Sequence, residues 1–231
     1  MGVDVALICV PIDKMREVIF ETASYMKQEA LLVEVSSIKG RTVESLRELA
    51  DKGIKPLSIH PLFGSSVGSL RGNTIAVIPV VNGDVEACLA RQLFEEAEIV
   101  VSEQDEHDRA MAVILSLTYF MNLAFAKVLS KEDLLSLKRL AGTTFTLQLA
   151  IAESVVGENP DLVKSILREN VFTRRYVECF ISEAEAISER IDKDYRGFDN
   201  LHNVLKDSLS RDPDYSKSDL RRHRAFSALR Q

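Results

Sequence analysis

The chain has 231 residues, 46% of them hydrophobic, enough to bury a core in one large domain or two modest ones. Its formal net charge of −6 excludes general binding to nucleic acid or to an anionic membrane. No signal peptide is visible, and no apolar run reads as long enough to span a bilayer. Cys9, Cys88 and Cys179 lie far apart without metal-type pairing, so they read as reduced, buried thiols of a cytoplasmic protein.

The first hundred residues alternate strand and helix. Residues 3–10 are a continuous apolar run, as in a strand buried on both faces of a parallel sheet. Pro11 ends it, and a helix is predicted over 14–27. A strand at 30–35, a helix at 41–51 and a short strand at 56–59 follow. Next come a β-branched strand at 74–80, a helix at 84–96 and a last strand at 98–101. This alternation predicts a mostly parallel α/β sheet.

At Ser102 the pattern changes. Ser102 and Asp105 resemble a capping pair at the start of a long helix. Its Met111, Ile114, Leu117, Phe120, Met121 and Leu123 occupy more than one face, as in a helix buried in a bundle or an interface. Further helices are predicted over 131–156, 160–170, 172–192, 196–209 and 217–229, with Asn159-Pro160 as a cap and first turn. The basic run Arg221, Arg222, Arg224 and Arg230 reads as a solvated helix face. The expected boundary therefore divides an α/β domain, residues 1–102, from an all-helical domain, residues 103–231, which would form a subunit interface.

The most informative stretch is Ser58-Ile59-His60-Pro61-Leu62-Phe63-Gly64, followed by Ser65, Ser66 and Ser69. It sets a histidine at the end of a strand, before a rigid turn, and imidazole suits proton transfer near neutral pH. The turn Ser36-Ser37-Ile38-Lys39-Gly40 follows the preceding strand. Ligands of parallel α/β sheets bind beyond the carboxyl ends of the strands, so both turns are expected at one edge. Ser36 or Ser37 could equally be a helix cap. His107-Asp108-Arg109 begins the long helix, either as a solvated first turn or with His107 directed into a cleft. His202 and His223 fall at surface positions of polar helices. No two glycines are separated by a single residue, so the dinucleotide fingerprint G-x-G-x-x-G is absent.

Taken together these residues resemble the prephenate dehydrogenase family. The signposts are Val10-Pro11-Ile12, Ser36-Ser37-Ile38-Lys39, His60-Pro61-Leu62-Phe63-Gly64, Glu106-His107-Asp108-Arg109 and Gly157-Glu158-Asn159-Pro160. The resemblance implies a Rossmann domain that binds NAD or NADP and a helical domain that forms a homodimer. It implies oxidative decarboxylation of prephenate to 4-hydroxyphenylpyruvate in tyrosine biosynthesis. His60 would withdraw the proton of the ring hydroxyl, and Ser37 would orient His60 or the nicotinamide. Lys39, Ser36 and His107 would face the substrate, and Val10, Pro11 and Ser36 the cofactor. No metal is implied. The resemblance starts at the family's fourth strand, so the glycine turn and its helix are not expected here. Val10's strand would then be an apolar edge, expected to be covered by another subunit or a helix. Two departures stand out: Glu153 falls where the family carries an arginine, and Tyr119 where relatives often carry histidine. Two other readings stay open. One is a non-catalytic dimeric module that binds a small anion or assembles with a partner. The other is a β-hydroxyacid-type dehydrogenase, against which the histidine turn argues.

Overall fold

The computed structural model describes residues 3–64, 66–193 and 195–229. Ser65 and Arg230 lie outside these described residues. The first half folds as β1 (Val5–Ile8), α1 (Ile12–Ala23), β2 (Leu31–Glu34), α2 (Gly40–Ala50), β3 (Lys55–Pro61), β4 (Thr74–Ile78), α3 (Gly83–Leu93) and β5 (Glu98–Val101). The sheet order is β1-β2-β3-β4-β5. β1, β2 and β3 are parallel, β4 is antiparallel to β3, and β5 is parallel to β4. A mostly parallel sheet followed by helices matches the fold class expected from the sequence.

Strand side chains alternate between two apolar layers. Ile8, Leu32, Ala76 and Ile78 pack on one face with Met15 and Ile19 of α1 and Val43 and Leu46 of α2. Leu31, Val33, Leu57, Ile59, Ile75 and Val77 pack on the other with Ala90 of α3. Each such Val, Leu, Ile or Met side chain stabilises the fold by roughly 1.5–3 kcal/mol relative to exposure. β1 is the edge strand, with Val5 and Leu7 about half exposed (51% and 55%) and no strand beyond it among the described residues.

Several boundaries move for physical reasons. α1 begins at Ile12, because Pro11 takes the cap position and its carbonyl accepts the Lys14 N–H at 2.9 Å. β3 runs on through His60 to Pro61, since His60 pairs with Ala76 and Pro61 with Ile75 of β4. Ser102 does not cap the next helix. Its N–H still bonds to Val77 O in the sheet, and the cap position falls to Glu103 without a side-chain bond. The thiols of Cys9, Cys88 and Cys179 are free as expected but exposed, not buried. Cys88 points outward from α3, whose inner face is taken by Glu86, Ala87 and Ala90.

The rest is helical: α4 (Gln104–Met111), a π-helical turn (Ala112–Leu117), α5 (Thr118–Leu129), α6 (Leu134–Leu140), α7 (Thr143–Gly157), α8 (Pro160–Glu169), α9 (Thr173–Lys193), α10 (Tyr195–Leu209) and α11 (Ser218–Ala228). The helix predicted over 131–156 is two helices, because Ala141 and Gly142 are extended and Asp133 caps α6. Asn159 caps α8, with Pro160 in its first turn. Gln104–Leu129 forms one unbroken helical stretch that is long and apolar enough to cross a membrane by length and composition alone. That revises the expectation that no run reaches such a length.

The chain divides into two compact units. One contains the residues up to Leu117 together with Asn159–Thr173; the other contains Thr118–Glu158 and the residues from Arg174 onward. In the second unit α5 packs on α7 and α11 on α7. Phe120 meets Phe180 edge-on, Phe125 meets Phe145, and Asn122 accepts a bond from Gln148 at 2.8 Å. His202 and His223 are exposed, as expected.

Candidate active site

β2 and β3 run parallel, so their carboxyl ends share an edge of the sheet. Glu34 closes β2 and is fully buried. An isolated buried carboxylate is costly, and this one has four donors around it. Ser36 gives its N–H at 2.8 Å and its hydroxyl at 2.6 Å, and Lys39 Nζ approaches to 2.6 Å. The Ser58 hydroxyl of β3 donates to the same carboxylate. Lys39 Nζ also donates to Ile59 O, the residue before His60. Burial pulls the Lys39 amine below its ordinary pKa, opposed by the attraction of Glu34.

His60 is 6% exposed near the end of β3. Its Nδ1 lies 3.0 Å from Nε2 of His107, and the rings meet edge-on at 78°. His107 Nδ1 lies 2.9 Å from Asp108 Oδ1. Asp108 in turn accepts the backbone N–H groups of Lys39 (3.0 Å) and Gly40 (2.9 Å) at the start of α2. A carboxylate at a helix N-terminus is favourable. Asn170, before α9, donates to the carbonyl of Asp108 at 2.6 Å and accepts the Phe172 N–H at 2.9 Å. Burial first, then the positive charge of Lys39, then His107, pushes His60 down to a pKa of about 3. It is therefore neutral at pH 7.

All of the sequence-derived site residues lie in the first compact unit. Ser36, Lys39, His60 and His107 meet in one buried network. The Ser36 hydroxyl is engaged by Glu34, Ile38 O and Thr42. Ser37 is half-buried, and no hydrogen bond of its hydroxyl is found among the described residues. Val10 is half-buried and Pro11 exposed, after the end of β1. Beside the Ser36 turn, Ile12, Arg16, Ile38, Arg41 and Thr42 line a cavity of about 140 Å³. Among the described residues no group of three His, Cys, Asp or Glu side chains could hold a metal ion. The sequence reading missed Glu34, Ser58 and Asn170. The one available signal was an acid closing the apolar run Leu31-Leu32-Val33.

Two family models cover this chain in succession. Residues 2–102 match the nucleotide-binding domain of prephenate dehydrogenase, and residues 103–207 match its dimerization domain. The chain belongs to the prephenate dehydrogenase family. A probable arogenate/prephenate dehydrogenase of Methanocaldococcus jannaschii is 27% identical over 205 residues, covering 84% of this chain and 45% of the relative. The T-protein of Haemophilus influenzae is 24% identical over 225 residues, 96% of this chain and 58% of its own length. The chain thus spans about half the length of these curated relatives. Among solved structures, the fold is shared with prephenate dehydrogenase from A. aeolicus in complex with hydroxyphenyl propionate and NAD+. The TM-score there is 0.70 at 20% identity, covering 90% of this chain and 77% of that one. Synechocystis arogenate dehydrogenase gives a TM-score of 0.70 at 18% identity, covering 92% and 79%. Within this family fold, the buried network joins the ends of β2 and β3 to the start of α4.

Proposed function

We propose that this chain supplies the proton-handling side of an NAD- or NADP-linked oxidative decarboxylation of prephenate, giving 4-hydroxyphenylpyruvate in tyrosine biosynthesis. The observation that carries the reading is His60. It is buried and neutral, with Nδ1 engaged by His107 and no hydrogen bond on Nε2 among the described residues. A neutral imidazole with one bare nitrogen can accept a proton, and with a pKa of about 3 it is a weak base that takes the proton only as the hydroxyl carbon gains carbonyl character.

Nε2 of His60 takes the proton of the ring hydroxyl while that carbon acquires carbonyl character. Loss of carbon dioxide aromatises the ring, and the proton returns to the same oxygen. His60 therefore ends the cycle as it began. Lys39, bonded to Ile59 O, fixes the backbone that carries His60 and disfavours its protonated form. Ser36 and Lys39 shape the substrate edge through the turn they hold, and Ser37 completes it with a hydroxyl not otherwise engaged.

Val10 and Pro11 follow β1, which is parallel to β2, so they lie toward the edge that carries the Ser36 turn. These open, apolar residues fit the flat nicotinamide end of a dinucleotide, with the Ser36 turn beside them. No glycine-rich phosphate cradle lies among the described residues. When bound, the nicotinamide accepts the hydride that leaves the ring. We place the nucleotide-binding domain at residues 1–102 and a homodimerising helical domain, whose first helix brings His107 and Asp108 to the site, at 103–231, in a soluble, cytoplasmic protein. The apolar face of the long helix then serves subunit contact.

Purified protein mixed with NAD+ or NADP+ and with prephenate or arogenate should show growth of reduced-nicotinamide absorbance. His60→Asn should lower kcat on the order of 10²–10⁴-fold, the range a general base contributes. Unchanged turnover in that variant would remove His60 from the mechanism.

One observation favours a second reading, a non-catalytic dimeric module that binds a small anion. Glu153, where the family resemblance places an arginine, is half exposed and paired with Lys138 at 2.9 Å. Tight binding of prephenate without any turnover by the wild type would select this reading.

A further inference from the structure

We propose that His107 and Asp108 are positioning residues that set the tautomer of His60 and aim its bare nitrogen at the reacting hydroxyl. The proposal deepens the reading of His60 as the base and rests on it. The argument begins at Asp108, whose carboxylate accepts backbone N–H groups from Lys39 and Gly40. Those bonds hold it as an acceptor, and the start of α2 favours its negative charge. Nδ1 of His107, 2.9 Å from Oδ1, must then carry a hydrogen. In the neutral form of His107 there is one N–H only, so its Nε2 is then an acceptor. His60 Nδ1, 3.0 Å away, must donate to it. The hydrogen of neutral His60 is thereby placed on Nδ1, and Nε2 is left with its lone pair.

With His107 neutral, the same chain of contacts disfavours the alternative tautomer. With its hydrogen on Nε2, His60 would set two bare nitrogens 3.0 Å apart between two buried side chains. An unpaired buried polar group is expensive, so the whole row of groups changes together or not at all. The same logic lets a buried aspartate orient the histidine of hydrolase triads. Here a second imidazole is interposed. The positive charge that arrives on His60 during proton transfer faces His107 and, beyond it, the Asp108 carboxylate. His107 thus acts through His60. Both of its ring nitrogens are occupied within the chain, which leaves neither free to touch substrate.

The row also has a mechanical support. Asn170 holds the Asp108 carbonyl, and the Ser116 hydroxyl in the π turn donates to Ile166 O at 2.9 Å. α4 is thus held at Asp108 itself and, through the π turn that continues it, at Ser116.

The test reads the tautomer directly, by nitrogen-15 NMR of imidazole-labelled protein near pH 7. In the wild type, His60 should be the Nδ1–H form. In His107→Ala that preference should disappear, and kcat should fall at least about 10²-fold with KM changed much less, the loss following from a misplaced base. His107→Gln, whose amide oxygen can again accept from Nδ1, should restore the tautomer and part of kcat. A wild-type His60 protonated on Nε2 overturns the proposal, and so does a folded His107→Ala that keeps the Nδ1–H form. Should His107→Ala fail to fold, the wild-type and His107→Gln spectra decide alone. Absence of turnover in the wild type would instead remove the functional reading, while the NMR result still decides the row of hydrogen bonds.

Discussion

Lys39 and Glu34 form an ion pair with no solvent exposure of either side chain, at 2.6 Å. Removing one member of such a pair leaves an uncompensated charge, typically costing about 3–5 kcal/mol. Lys39→Met is therefore expected to lose stability in that range by urea denaturation. Adding Glu34→Gln should recover part of the loss, because the amide still accepts a donor while the orphaned charge disappears. His60 gives the pH dependence. Below about 6.5 the unfolded chain protonates this histidine, whereas the folded chain does so only near 3. The unfolded state therefore binds more protons between these values, and stability falls as pH drops through that window. His60→Asn, which keeps a donor toward His107, should flatten this component. Urea midpoints measured from pH 7.5 down to about 4.5 provide the check, and parallel slopes for the two proteins would contradict it.

The elements show why some residues were legible and others not. The alternation of strands and helices could be read from apolar runs because each strand of the sheet centre is buried on both faces. β2 is buried throughout, and β3 from Leu57 to His60. The End of β3 could not be read, because Pro61 suggests a stop and only the partner strand β4 carries the ladder past it. The capping pair failed for a similar reason: Ser102 is still bonded to β4. Asn170 had no local signal at all. Its role comes from meeting Asp108, 62 positions earlier in the chain. Asn170→Ala should leave the Phe172 N–H without its acceptor and the Asp108 carbonyl with only its Ala112 N–H, at about 1–3 kcal/mol. Thermal or urea unfolding measures that loss, and a change within a few tenths would show that water replaces the amide.

For the whole molecule, the helical unit exposes apolar side chains that no described residue covers, including Met121, Val128, Ile151 and Val156 at 40–64% exposure. A match to a dimerization domain over residues 103–207 supports a homodimer. The double variant Met121→Arg, Ile151→Arg is expected to shift the protein toward monomer at micromolar concentration, read by light scattering. An unaltered mass would place the dimer contact elsewhere. The edge of β1, with Val5 and Leu7 exposed, is a second apolar surface of the isolated chain. By itself, the sequence determined the fold class, the family and His60 as the group to examine. These follow from local patterning and from short motifs, which survive without knowledge of what packs on what. The tertiary structure alone decided which partners those groups have. Glu34 neutralises Lys39, and Asp108 and His107 stand behind His60, because hydrogen bonds between distant segments depend on strand register and helix placement rather than on spacing along the chain.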